Sequence, residues 1–244
     1  MINQDHDTVG ARSEDPPLRV ASLFSGGKDS NYALAWALKQ GMEISHLVTV
    51  YPENKESYMY QTAGLEHTEL AAKAIGIPHV KVWTQGKETA EVMDLQVVLG
   101  RIVEDEDIEG LVTGALKSNY QKERLDRVCA ELNIKCISPA WHRDPEEHLR
   151  SFLKDGFEII FVGVSAEGLG QSWLGRHLDE KAIADLLKVR ERFAINIDGE
   201  GGEYETMVLD APHYKQKVII DESEASWLRD SGHLVVHKAH LALK

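Results

Sequence analysis

The chain is poor in cysteine, with 2 in 244 residues. Cys129 and Cys136 form neither a C-x-x-C pair nor a four-ligand set, which excludes a cysteine-held iron–sulfur centre and a thiolate zinc site. Cys129 falls in a helical pattern with Val128 and Leu132 and reads as a buried core thiol. The N-terminus is polar and acidic (Asn3, Gln4, Asp5, Asp7) and carries no secretory pattern. Together these point to a reducing, cytoplasmic setting. No apolar run reaches the ~18 residues of a membrane span, so no membrane partner is expected. Positive charge is scarce too: Lys and Arg number 27 against 40 Asp and Glu, a net charge of −13. Such a surface argues against stable nucleic-acid binding, because phosphate backbones want basic patches. A basic protein partner fits it better. The run Glu104-Asp105-Glu106-Asp107 reads as a solvated helix end.

What is present is concentrated in six residues, Ser25-Gly26-Gly27-Lys28-Asp29-Ser30. They follow the apolar run Val20–Phe24 and open a helical stretch. Strand, Gly-rich turn and helix is a phosphate-holding geometry, since glycines admit close backbone approach and helix N-terminal N–H groups face the anion. The turn is not a P-loop, G-x-x-x-x-G-K-[ST]: Asp29 follows Lys28, and Ser22 stands where the first Gly belongs. It is not a dinucleotide fingerprint either. An Asp in a phosphate cradle repels phosphates unless Mg²⁺ lies between, so Asp29 implies a metal-bound polyphosphate. Lys28 supplies a cation, Ser25 and Ser30 hydroxyls. The turn resembles the S-G-G-x-D-S loop of the N-type ATP pyrophosphatases, which split ATP to AMP and pyrophosphate. Five fixed positions arise by chance with a frequency on the order of 10⁻⁴ in a chain this long. The plain alternative is an ordinary capped helix start.

Residues 19–138 alternate strands and helices. Strands are predicted at Val20–Phe24, Ile44–Tyr51, His79–Trp83, Gly110–Gly114 and Lys135–Ile137. Helices are predicted at Ser30–Gln40, Thr62–Ile75, Glu88–Asp105 and Gln121–Leu132. The expected fold is α/β, a doubly wound, mostly parallel sheet with ligands at the strand C-termini. A smaller C-terminal α+β domain is expected over 139–244. It would hold helices at Pro145–Leu153 and Asp179–Arg192, a strand at Glu158–Val164, and short strands around Lys217–Ile220 and Leu234–Lys238. Residues 1–18 read as a mobile tail.

Three further runs stand out. Gly199-Glu200-Gly201-Gly202-Glu203-Tyr204-Glu205-Thr206 reads as an acidic loop between Ile195–Ile197 and Met207–Leu209. Its carboxylates could bind Mg²⁺, hold a cation or take a proton from an amine, or simply decorate an exposed hairpin. Gly114–Gln121 follows the fourth strand and so faces the nucleotide. Trp173-Leu174-Gly175-Arg176 sets an Arg beside a Gly turn. His233, His237 and His240 have tempting spacing for zinc, but on a strand His240 faces away from the other two.

On these runs, with Ser57–Thr62, Arg124, and Leu174-Gly175 ahead of Leu178-Asp179, the sequence resembles the diphthine–ammonia ligase (diphthamide synthetase) family from Arg19 onward. The resemblance implies that ATP adenylates the diphthine carboxylate of translation elongation factor 2, and that ammonium displaces AMP. It implies ATP binding by Ser25, Gly26, Gly27, Lys28, Asp29, Ser30, Tyr60, Gly114 and Ser118, with Asp29 on Mg²⁺. It implies a substrate side of Tyr120, Gln121, Arg176, Glu200, Gly201, Gly202, Glu203, Tyr204, Glu205 and Thr206. Lys28, Asp29, Glu203 and Glu205 are the expected catalytic groups. A trimethylammonium group would suit an acidic, aromatic pocket of Glu203, Tyr204 and Glu205 with Trp141 or Trp173. The oligomer allowed for is a homodimer. The alternatives are a ligase for another carboxylic acid, a transfer-RNA modifier and a nucleotide-binding module without turnover.

Overall fold

A computed structural model describes residues 16–52, 67–84 and 88–244. Five strands, β1 (Arg19–Leu23), β2 (Glu43–Pro52), β3 (His79–Thr84), β4 (Gly110–Val112) and β5 (Lys135–Ile137), pair in parallel in the order β3-β2-β1-β4-β5. The crossovers carry helices α1 (Lys28–Lys39), α2 (Thr68–Ile75), α3 (Glu88–Glu106) and α4 (Asn119–Glu131). Side chains alternate across each strand, and the two faces collect different helices. Val20 and Leu47 pack with Ala33, Leu34 and Ala71 of α1 and α2. Ala21 and Val48 pack with Leu95, Leu99 and Val128 of α3 and α4. With both faces covered, β1 needs no polar side to its sheet, which explains its apolar run. The chain winds one way from β1 to β3 and then returns through β4 to β5. The crevice between the C-terminal ends of β1 and β4 is therefore the topological switch point, where such sheets place ligands.

The second half holds α5 (Pro145–Lys154), α6 (Glu180–Phe193) and four strands: β6 (Glu158–Val164), β7 (Tyr204–Asp210), β8 (Gln216–Leu228) and β9 (Ser231–Leu243). They form an antiparallel sheet in the order β7-β6-β9-β8. Ala33 and Leu34 of α1 belong to the same core as Phe152, Phe161 and Val208, so α1 lies between the two sheets. The backbone confirms the join: the Val208 N–H donates to the Gly26 carbonyl at 3.1 Å.

Most predicted elements are present with ends moved by at most two residues. The predicted start of the second helix, Thr62, falls outside the described residues, which resume at His67, and the described helix begins at Thr68. Two expectations need correction. The two short terminal strands are one long hairpin of 13-residue strands, turning at Arg229, which has φ +58°. Asp221-Glu222-Ser223-Glu224 breaks the apolar pattern there, and the ladder is held by backbone pairing rather than burial. The acidic run is not a hairpin loop. Ile195–Ile197 is no strand, and β7 pairs with β6 instead, so Tyr204, Glu205 and Thr206 are strand residues. On β9, His240 bonds Asp221 and His237 lies 3.6 Å from Glu224. Cys129 is buried in α4 as its helical pattern predicts.

Candidate functional site

β1 ends at Leu23, and the chain turns through Gly26 at φ +77°, a left-handed value that favours glycine. Gly27 is the extended N-cap of α1 and offers no side-chain cap. The turn is braced internally: Ser30 Oγ donates to the Gly27 carbonyl at 3.1 Å and lies 3.2 Å from Ser25 Oγ. The Lys28 N–H donates to Thr206 Oγ1 of β7 at 3.1 Å. Thr206 thereby ties the Ser25–Ser30 turn to the second sheet.

Lys28 is buried, with its ammonium 2.7 Å from Asp29 Oδ2, bonded to the Asp198 carbonyl and 5.3 Å from the Tyr204 ring centre. The other Asp29 oxygen accepts from His148 Nε2 at 3.0 Å. Burial raises the Asp29 carboxyl, but Lys28 and His148 outweigh it and hold the group below the usual carboxylate range. His148 sits on α5, is 1% exposed, and is wedged edge-on between Tyr32 and Phe152. Sequence reasoning missed it. The only available signal was its position in a well-capped helix, where Asp144 accepts from the Glu147 N–H.

The opposite wall comes from the turn after β4 and from the acidic run. Gly114 presses on the first turn of α1, where an added Cβ would lie 2.7 Å from Asp29 C and Ser30 N. Lys117 Nζ reaches Oδ2 of the buried Asp198 at 2.9 Å. The Lys117 and Ser118 N–H groups both donate to Glu200 Oε1, at 3.2 and 2.8 Å. Glu200 thus sits at the N-terminus of α4, which favours negative charge. Burial nevertheless pushes its carboxyl up, and Asp29 and Asp198 add to that against the two N–H groups.

That balance gives a testable sign. The folded Glu200 carboxyl holds its proton more tightly than the unfolded one. Its ionisation therefore costs stability at neutral pH; the cost begins to fall as pH drops through the folded-state pKa and is gone below the unfolded-state one. Glu200→Gln keeps an oxygen for both N–H donors and removes the charge. It is expected to hold or raise Tm at pH 7.5 by about 1–3 °C and to shrink the gain on moving toward pH 5. Calorimetry at both pH values checks this, and a clear drop in Tm at pH 7.5 would contradict it.

Between these walls lies a cleft of about 250 Å³, lined by Ser25, Lys28, Asp29 and Ser30, by Thr113–Ala115 and Gln121, and by Gly199, Glu200, Gly202, Tyr204, Glu205 and Thr206. The Ser25–Ser30 turn and most of the acidic run therefore share one site. Several expected site residues lie elsewhere. Glu203 Oε1 accepts from Asn196 N and Nδ2, each at 2.8 Å, and so closes the turn ahead of β7. Gly201 passes this carboxylate so closely that a Cβ would meet it at 2.7 Å. Ser118 caps α4, and Tyr120 lies under the Arg124 guanidinium at 3.3 Å. Arg176 is turned to Asp185 at 2.8 Å and stacks on Trp173. The acidic, aromatic pocket is not assembled. Trp173 is buried on Phe161, Trp141 has Lys122 over its face, and Tyr204 is buried with its hydroxyl donating to the Ile197 carbonyl at 2.6 Å. Tyr60 and the rest of Ser57–Thr62 lie outside the described residues.

The diphthamide synthase N-terminal domain family matches residues 18–136, and the diphthamide synthase C-terminal domain family matches residues 144–242. The diphthine–ammonia ligase of Rattus norvegicus is 36% identical over 227 residues, covering 85% of each chain. That of Homo sapiens is 35% identical over 226 residues, covering 85% of this chain and 84% of its own. That of Saccharomyces cerevisiae is 31% identical over 232 residues, covering 81% of this chain but 34% of its own length.

Proposed function

The chain belongs to the diphthamide synthase family, and from that premise we propose that it is a diphthine–ammonia ligase acting on translation elongation factor 2. The diphthine carboxylate attacks the α-phosphorus of ATP and pyrophosphate leaves. Ammonia then attacks the acyl carbon, AMP leaves, and the amide of diphthamide remains after loss of a proton. One observation carries the reading. Thr206 Oγ1 and the Val208 N–H fasten the ATP-type turn to the strand of the acidic run, so the Lys28–Asp29 pair and Glu205 line one cleft at the switch point.

The chemistry asks little more of the protein than position and charge. Adenylation removes the negative charge that would repel an incoming nucleophile, and it makes AMP the leaving group. The start of α1, whose N-cap Gly27 has no side chain, and the Lys28 ammonium favour phosphate at the turn. Glu200 occupies the N–H groups at α4, and Glu205 lines the side of the cleft facing the second sheet. A covalent nucleophile is not required: buried Cys129 lies on α4 beside the sheet, away from the cleft lining.

Among the described residues no three Asp, Glu, His or Cys side chains converge as a metal site; Asp29 lines the cleft with the Ser25 and Ser30 hydroxyls, so Mg²⁺ would arrive with the polyphosphate and take a carboxylate oxygen from Asp29 in exchange for its Lys28 contact. Asp29 would hold it, and when bound it would neutralise phosphate charge. Among the described residues no helix is long and apolar enough to cross a membrane. A cytoplasmic setting is part of the proposal.

The test supplies purified protein with ATP, Mg²⁺, ¹⁵N-ammonium and diphthine-bearing elongation factor 2. Peptide mass spectrometry is expected to find the labelled amide, with AMP and pyrophosphate formed in equal amounts. AMP formation on a different acid with no amide on the factor would reject the substrate. An absence of AMP under every condition would leave only a binding module.

A further inference from the structure

The second half of the chain sends a buried imidazole to the Ser25–Ser30 turn. His148 of α5 is 1% exposed, and its Nε2 meets Asp29 Oδ1 at 3.0 Å across 119 residues. The ring has little room to turn. Tyr32 packs on it edge-on at 4.7 Å and Phe152 at 4.8 Å. Its backbone N–H donates to the Asp144 carbonyl, and its carbonyl accepts from Ser151 Oγ. Nδ1 is buried with no hydrogen-bond partner among the described residues. A neutral imidazole has one N–H, and the nitrogen that faces a carboxylate gains by carrying it. Nε2–H is therefore the donor and Asp29 Oδ1 the acceptor.

A side chain needed only to fill the slot between Tyr32 and Phe152 would be apolar, with no nitrogen left unpaired. What the histidine adds is a hold on one particular oxygen. The Asp29 side chain is 26% exposed, and its two oxygens meet different partners. Oδ1 meets the buried ring, and Oδ2 meets Lys28 at 2.7 Å, where both residues line the cleft. We infer that His148 is a positioning residue, which clamps Asp29 Oδ1 through Nε2–H so that Oδ2 is the oxygen offered to the metal of an incoming polyphosphate. The inference rests on the ATP site proposed above and adds that α5 sets the aim of the acid in the turn. Lys28 can then give up its contact without releasing the carboxylate, because the second hold remains. Partners that orient a metal-binding side chain in this way matter nearly as much as the ligand itself.

His148→Leu fills the aromatic slot and removes the donor, whereas His148→Gln keeps an amide N–H near the place of Nε2. Calorimetric titration of ATP at a series of Mg²⁺ concentrations, with no acceptor present, reads the clamp without turnover. In His148→Leu the Mg²⁺ concentration at half effect should rise by roughly 10–100-fold, and AMP formation should fall by a similar factor. ATP affinity without Mg²⁺ should stay at the wild-type value, and His148→Gln should recover most of both losses. A merely structural histidine predicts a lower Tm with the Mg²⁺ dependence unmoved, and that result overturns the inference. So does a His148→Gln variant no better than His148→Leu. The second measurement needs no folded Leu variant. In ¹⁵N-histidine-labelled wild-type protein, the ring resonances that His148→Gln removes should report a proton on Nε2. A proton on Nδ1 alone overturns the clamp. A wild-type protein that binds ATP with Mg²⁺ but amidates nothing overturns the proposed function, while binding and resonances still decide the clamp. One that binds no ATP overturns both.

Discussion

Asp29→Asn is expected to lower AMP formation by roughly 10²–10³-fold or more, with the protein still folded. Asp29 is the one acid in the Ser25–Ser30 turn, and both its oxygens have partners. Lys28 holds one at 2.7 Å and His148 the other at 3.0 Å. Asn keeps the shape but loses the charge, and it must aim an NH₂ group at one of two donors. Facing Lys28, two cationic or positive-ended groups meet. Facing His148, the imidazole must surrender its Nε2 proton and carry one on Nδ1, which is buried without a hydrogen-bond partner among the described residues. Either way one buried donor goes unpaired, at a cost of about 1–3 kcal/mol. That is tolerable for a domain of this size, whereas the loss of charge beside the phosphates is not. AMP release at saturating ATP measures the rate, and circular dichroism with an ATP titration separates it from unfolding. A variant within about tenfold of wild type would remove Asp29 from the chemistry, because the effect asked of it is a factor of 10² at least.

The strand–turn–helix geometry around Ser25–Ser30 was legible because its residues are contiguous and its neighbours are unambiguous. An apolar strand before it and a helical period after it fix the geometry without any distant contact. The β-α alternation of the first half was legible for the same reason, since parallel strands covered on both faces stand out as apolar runs between helices. His148, Lys117 and Asp198 were not legible. His148 meets Asp29 across 119 residues, and nothing in a helix of Glu, Arg and Leu tells which residue faces a distant loop. The acidic run was seen but read as one loop. In the structure the strand starts at Tyr204, so Glu203 is left in the turn on Asn196 while Glu205 enters the cleft. Two carboxylates that look equivalent in the sequence are separated by the strand's onset. The terminal hairpin was concealed by its acids, because an exposed ladder satisfied by backbone bonds needs no apolar alternation.

Gly114→Ala is the second large effect, and it probes an approach of backbone to backbone. The turn after β4 lies against the first turn of α1 so closely that a methyl would stand 2.7 Å from Asp29 C and Ser30 N and 2.9 Å from Asp29 O. None of these is the far end of a flexible side chain. Relief requires α1 or the β4 turn to move, and α1 is pinned by Thr206 to β7 while β4 is pinned between β1 and β5. Overpacking of this kind costs about 1–3 kcal/mol, a fall in Tm of roughly 2–12 °C for a chain of this length. The same movement would displace the N–H groups at the start of α1 that are proposed to hold phosphate, so ATP affinity should fall by about tenfold or more, each 1.4 kcal/mol of lost contact being tenfold. Gly41 supplies the comparison. It has φ +79° and nothing within 4 Å of an added Cβ, at the far end of α1. Gly41→Ala should therefore cost stability through backbone strain alone, about 1 kcal/mol, with ATP affinity unchanged. Calorimetry and an ATP titration on both variants separate the two causes. Equal losses of stability with equal ATP affinity would mean that the contact at Gly114 yields freely. The cleft would then be shaped by Asp29, Lys28 and His148 without the press of β4 behind them.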